Sequence, residues 1–246
     1  MLRGIRPLLV CPVKLRRPGT MWLPQNGSSM QPLRIRYQTI EFGEFDIHVR
    51  TLRDNQQFSD PDGEAERLGI SSALWPLFGV IWKSGEYLAH LMDDYPIKGK
   101  RILEVGCGIG LASIVLNHRG ADITATDYHP EVESFLKENT LINNDPDISF
   151  VRTAWDDKVC LSLGLFDLII GSDLLYEEEH AKLLASFINQ HSRSQCMVVI
   201  VDPGRGHSAE FIRHMTDFGF HVSQEKHQLN IRDSEPFTAR ILGLNR

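Results

Sequence analysis

Two short clusters in this chain have residue types and spacings that can do chemistry. Gly106, Gly108 and Gly110 alternate directly after the run Ile102-Leu103-Glu104-Val105, and the next apolar run, Ile123 to Thr126, ends on Asp127. Alternate glycines let a chain turn sharply and let its backbone lie against a ligand. A carboxylate at the end of the following strand can accept both hydroxyls of a ribose. Together they describe a nucleoside-binding βαβ unit, with Leu111 to Leu116 as its helix and Gly120 as the stop. Further on, Ile170-Gly171-Ser172-Asp173-Leu174-Leu175-Tyr176 sets a carboxylate and a phenol at the end of another strand. Ligands of such sheets lie outside the carboxyl ends of the strands, so both clusters belong at one mouth.

The glycine spacing separates two classes of nucleoside. Dinucleotide sites use Gly-x-Gly-x-x-Gly to bring a helix N-terminus onto a pyrophosphate. Here the third glycine arrives one residue early, and Glu104 stands two residues before Gly106, where it would repel a pyrophosphate but hold an ammonium group directly or through water. This pair of departures resembles motif I of the S-adenosylmethionine-dependent methyltransferases. Methyl transfer to nitrogen is an in-line displacement, for which the protein aligns a lone pair and excludes water. Asp173 can hold the acceptor nitrogen and Tyr176 can orient it. Plainer readings stand beside these: Asp173 as a helix cap, Tyr176 as packing, and Glu177 to Glu179 as a solvated first helical turn rather than a substrate-attracting rim.

Asp173-Leu174-Leu175-Tyr176 resembles the Asp-x-x-Tyr motif of the seven-stranded protein lysine methyltransferases, the methyltransferase-like 21 and 23 group and its relatives. The similarity runs from Leu74 to Tyr176 with the motifs in order. It implies S-adenosylmethionine as cofactor and a protein substrate, with Asp173 and Tyr176 as the catalytic pair. It further implies that Trp82 borders the cofactor, that Gly106, Cys107 and Gly108 form the glycine loop with Gly110 beside them, and that Asp127 binds ribose. Trp155 resembles the tryptophan on the adenine side, and Ser172 the small residue before the acid. One segment departs from the family pattern: Val201-Asp202-Pro203-Gly204-Arg205-Gly206 leaves its strand on the ligand side, where Asp202 and Arg205 either shape the acceptor site or form a plain Pro-Gly turn.

The elements that must position these groups follow from periodicity. Alternation over Ile35 to Leu52 predicts a β-hairpin, and the polar stretch 53–72, with its Asp60-Pro61-Asp62-Gly63 turn, a mobile lid-like loop with a short helix before Gly69. Ser84 is expected to cap a helix through Met92, Pro130 to open one with Val132, Phe135, Leu136 and Ile142 inward, and Ser208 to cap a last one stopped by Gly219. Strands are expected at Ile148 to Arg152, Phe166 to Gly171, Met197 to Val201, Phe220 to Gln224 and Phe237 to Leu242. The fold class is α/β: a doubly wound, Rossmann-like, seven-stranded sheet, mostly parallel, with a C-terminal antiparallel hairpin and an N-terminal β-hairpin.

Composition narrows the classes. The chain has 246 residues, 42% of them hydrophobic and 24% charged, enough for one domain spanning 31–246. Residues 1–30 carry Arg3, Arg6, Lys14, Arg16 and Arg17 with no acid, and four prolines. They read as a disordered extension, either an organelle-targeting peptide or a stretch upstream of a start at Met21 or Met30. The net charge is −6, so the remainder is more acidic still, a poor match for a phosphate backbone and a better one for a basic protein. No apolar stretch reaches the roughly twenty residues of a membrane span. Scattered cysteines and histidines predict no metal and a reducing, cytoplasmic setting, with a mitochondrial one if the extension is a targeting peptide; a monomer is expected. Competing functions are a small-molecule amine, histidine or arginine methyltransferase, a nicotinamide-dependent oxidoreductase, and a cofactor-binding module without catalysis. Base methyltransferases carry prolines where Leu174 and Leu175 stand, so nucleic acid is not expected.

Overall fold

The computed structural model describes residues 33–156, 163–229 and 237–246; the basic extension lies outside them. The chain opens with the hairpin β1 (Ile35–Glu41) and β2 (Asp46–Leu52), then a short helix α1 (Glu64–Arg67), a 3₁₀ turn (Trp75–Gly79) and α2 (Lys83–Asp94). Alternation of strand and helix follows: β3 (Arg101–Val105), α3 (Leu111–His118), β4 (Asp122–Asp127), α4 (Val132–Ile142), β5 (Ser149–Arg152), β6 (Phe166–Ser172), α5 (Glu178–His191), β7 (Ser192–Asp202) and α6 (Ser208–Asp217). The last two strands, β8 (His221–Leu229) and β9 (Phe237–Asn245), have no helix between them.

Seven strands form one sheet in the order β5-β4-β3-β6-β7-β9-β8. Pairing is parallel from β5 to β7 and antiparallel where β9 inserts between β7 and β8. Chain order reverses between β3 and β6, which opens a crevice at the carboxyl ends of those two strands. Because side chains alternate along a strand, each inner strand feeds two cores. On β3, Ile102 joins the layer under α2, α3 and α4, while Leu103 and Val105 join that under α5 and α6.

The β1–β2 hairpin is a separate two-stranded sheet, and α4 holds it by imitating a strand. Asn139 Oδ1 accepts the Arg50 N–H at 2.7 Å and Asn139 Nδ2 donates to Arg50 O at 3.2 Å. Asn143, one turn on, repeats the exchange with His48 at 2.8 and 2.7 Å. These two amides satisfy backbone groups that an edge strand would otherwise leave open.

Three expected helix starts change. Ser84 and Pro130 do not start their helices: α2 begins at Lys83 after Trp82, and α4 at Val132 after Glu131, neither with a side-chain cap. Ser208 is the first residue of α6 rather than its cap. The 53–72 segment is tethered along its length, with Asp60 accepting the Ala65 and Glu66 N–H groups at 3.0 and 2.9 Å, Glu64 paired with Arg152, and Leu68 O accepting the Tyr128 hydroxyl at 2.8 Å. The Arg152 and Tyr128 tethers come from β5 and from the residue after β4, far away in sequence.

Candidate active site

The crevice between β3 and β6 opens into a cavity of about 720 Å³, a size typical of small-molecule sites. The eleven residues assigned from the sequence to cofactor binding and catalysis line it: Trp82, Glu104, Gly106, Cys107, Gly108, Gly110, Asp127, Trp155, Ser172, Asp173 and Tyr176. Leu68 to Ile70, Phe78, Tyr128, His129, His180 and Arg205 line it as well.

After β3 the backbone is left-handed at Gly106, Gly108 and Gly110, with φ of 61°, 52° and 71°, conformations costly for any residue with a Cβ. The missing side chains also make room for the protein itself. A Cβ on Gly106 would stand 2.5 Å from Leu174 Cδ2, one on Gly108 3.0 Å from the Phe78 carbonyl, and one on Gly110 2.7 Å from Leu136 Cδ1. Leu174 is buried, and its other methyl fills the space over Gly171, where a Cβ would approach to 2.6 Å. One leucine thus locks the glycine loop to the turn after β6.

Two carboxylates brace the loop. Asp127, at the end of β4, accepts the Gly108 N–H through Oδ2 and the His129 N–H through Oδ1, both at 2.9 Å; burial raises its pKa against these hydrogen bonds. Glu104 is 4% exposed, and its Oε2 accepts both the N–H of Ser113, at 2.9 Å, and the Ser113 hydroxyl. The strand carboxylate therefore caps α3, whose own N-cap residue, Gly110, has no side chain to offer. Burial pushes the Glu104 pKa up to about 7, opposed by the Ser113 hydrogen bonds and helped by the charge of Asp127. Burial likewise keeps the Cys107 thiol protonated.

Aromatic rings fill the walls. Trp82 donates its indole N–H to Leu77 O at 2.9 Å. The His129 ring stacks on Phe78 at 4.1 Å, its Nδ1 accepts the Glu131 N–H at 3.2 Å, and burial lowers its pKa to about 4. His180 meets Trp155 and Tyr176 edge to face, at 5.3 and 4.5 Å between ring centres. Tyr176 still shows 46% of its surface, and burial of its hydroxyl end, with the charge of Glu177, raises the phenol pKa.

The turn after β6 removes one plainer reading of the sequence, while Glu178 and Glu179 do stand in the exposed first turn of α5. Asp173 is not a helix cap, since α5 begins at Glu178 with Glu177 before it. Its backbone is left-handed (φ 57°) and its N–H donates to Val201 O at 2.9 Å. Non-glycine residues in this region store on the order of 1 kcal/mol or more and collect at functional sites. Both Asp173 oxygens are engaged by one guanidinium: Arg205 Nη2 donates to Oδ2 at 2.8 Å and Nε to Oδ1. Asp202, at the end of β7, is 1% exposed, neither carboxylate oxygen has a hydrogen-bond partner among the described residues, and it does not line the cavity. Parallel pairing of β6 with β7 brings Asp173 and Arg205 to the same end of the sheet, so the Pro-Gly turn also places a residue in the site.

Sequence reading missed Tyr128, His129 and His180. The first two directly follow Asp127, and His180 lies one helical turn beyond Tyr176, so each had a positional signal but no distinctive spacing. The Arg205–Asp173 pair joins residues 32 positions apart and had none.

The family described as lysine methyltransferase matches residues 65–218, more than half of the chain. An electron transfer flavoprotein beta subunit lysine methyltransferase from Xenopus laevis is 31% identical over 57% of this chain and 58% of its own length. The protein N-lysine methyltransferase METTL21A from Danio rerio is 30% identical over 55% and 62%. The chain thus spans about three fifths of the length of these two relatives. Among solved structures, one titled for the conversion of a disulfide bond into a thioacetal group during echinomycin biosynthesis superposes with a TM-score of 0.57 at 18% identity, covering 74% of this chain and 91% of its own. Magnesium protoporphyrin IX methyltransferase from Synechocystis, solved with bound S-adenosylmethionine, gives 0.51 at 19% identity over 66% and 77%. At such identities these structures speak for the fold, while the sequence match speaks for the lineage. The chain belongs to the lysine methyltransferase family.

Proposed function

We propose that this protein transfers a methyl group from S-adenosylmethionine to the side-chain amine of a lysine in a protein substrate. The carrying observation is that Leu174 joins the glycine loop to the Asp173–Tyr176 turn, so that a cofactor cradle and an amine-holding carboxylate share one cavity. The residues present fit the cofactor. Backbone at Gly106 to Gly110 offers a surface without side chains, Asp127 suits ribose hydroxyls, Glu104 suits the ammonium end, and Trp82 and Trp155 offer faces for packing. When bound, the cofactor supplies a methyl group on a sulfonium, which passes to the amine nitrogen as the carbon–sulfur bond breaks and its electron pair stays on sulfur.

The chain's own residues orient and exclude water. Asp173 accepts an N–H of the amine, which turns the nitrogen lone pair away from the carboxylate. Tyr176, Trp155 and His180 form an aromatic wall that suits the apolar stem of a lysine and disfavours water at the reacting end. Asp156 and Glu177, which also line the cavity, favour a basic acceptor segment. Replacing Asp173 by Asn tests this reading. The variant should bind adenosylhomocysteine as the parent does and lose methylation of lysate proteins by at least about 100-fold. Unchanged protein methylation would contradict the assignment, and labelling of small molecules alone would favour the free-amine alternative.

A further inference from the structure

Resting on the lysine reading above, we propose that Arg205 is a positioning residue of the acceptor site, whose guanidinium neutralises Asp173 and thereby selects the uncharged amine. A lysine amine titrates near pH 10.4 in water, so at neutral pH only about one in a thousand carries the lone pair that the reaction needs. A bare carboxylate at the acceptor position would favour the wrong form, because an opposite charge stabilises the ammonium.

The structure places a permanent cation on that carboxylate. The two parallel hydrogen bonds from Nε and Nη2 span both oxygens, a geometry that a lysine cannot supply. Those hydrogen bonds first, and then the charges of Asp173 and Asp202, hold the guanidinium protonated. Among the described residues lining the cavity, Arg205 is the only lysine or arginine. The other charged and titratable groups around it are placed differently. Glu104 and Asp127 lie at the glycine loop, Asp156 and Glu177 line the wall, His180 turns Nε2 toward Glu177 at 3.4 Å, and Asp202 lies outside the cavity. A carboxylate oxygen that has accepted one N–H keeps a lone pair for a second. Asp173 can therefore still receive an N–H from a neutral amine, while a second cation beside Arg205 is repelled.

The test uses a carba analogue of adenosylhomocysteine in which a carbon replaces sulfur and bears a 2-aminoethyl arm, so that the probe carries its own primary amine to the acceptor position. Binding is measured by calorimetry at pH 7.5 in buffers of different ionisation enthalpy, with adenosylhomocysteine as the reference. The wild-type protein should release close to one more proton with the arm than without it. Arg205→Gln should bind the armed probe about 10-fold tighter or more, with no extra proton, and adenosylhomocysteine unchanged. Arg205→Lys keeps the charge, so the extra proton should persist although the armed probe binds more weakly; this variant and the wild-type count decide the matter if Arg205→Gln fails to fold. Binding of the arm by wild-type protein without extra proton release would overturn the proposal, because an ammonium would then have taken Asp173 from Arg205. If the arm adds nothing and Asp173→Asn changes nothing, the acceptor-site reading itself fails, and this inference with it.

Discussion

On the proposed reading Glu104 caps a helix and holds the cofactor's ammonium end with one carboxyl group, and both tasks favour the ionised form that burial opposes. Its Oε2 caps α3 through Ser113 in the free protein, where burial brings its pKa to about 7. Holding the cofactor's ammonium end requires the ionised form. Affinity for adenosylhomocysteine should therefore rise as pH increases through about 7 and flatten above, and Glu104→Gln should bind more weakly with that slope removed. Titrations across this range check both. Stability of the free protein runs the other way. A carboxyl raised in the folded state contributes fully below its unfolded value of 4.5, and that contribution is lost as pH climbs through about 7. The melting temperature of the free protein should fall over this interval, and less so in Glu104→Gln. At this scale the sequence showed where Asp127 and Glu104 stand but not what they do in the free protein. The capping of α3 depends on Gly110 lacking a side chain and on Ser113 lying across from β3.

At the scale of elements two devices act between distant segments, and the first of them builds the site. Leu174 bridges the turns after β3 and β6 and lines the cavity, and Leu174→Ala should cost about 2–5 kcal/mol of stability and weaken adenosylhomocysteine binding. Gly106→Ala places its Cβ against the same methyl. The two substitutions should therefore be non-additive, the double variant losing less stability than the sum of the singles, which chemical denaturation measures. The asparagine ladder from α4 is independent of the cavity. Asn139→Ala should cost about 1–3 kcal/mol and expose the Arg50 amide to hydrogen exchange while cofactor affinity stays. The order of strands and helices was legible because each is written in a local period, apolar runs for buried parallel strands and 3.6-residue spacing for helices. Helix starts were less so: Ser84 and Pro130 are good starting residues locally, yet the helices begin directly after Trp82 and Glu131. The tethers of the 53–72 segment escaped for the same reason as the Arg205–Asp173 pair: each partner lies on another element, and neither side chain advertises the other.

As a whole molecule, the protein sets the Asp173 carboxylate and the glycine loop at the point where its sheet reverses order, with Asp156 and Glu177 on the same cavity. The family lineage and the shared cavity are what support the proposal of lysine as the acceptor. The most direct test is to incubate the purified chain with methyl-labelled S-adenosylmethionine and a lysate that lacks this activity, and to locate the label by mass spectrometry. The account predicts methyl groups on the side-chain nitrogen of lysine in protein, absent with Asp173→Asn. Label confined to histidine, arginine, nucleic acid or free small molecules would contradict it.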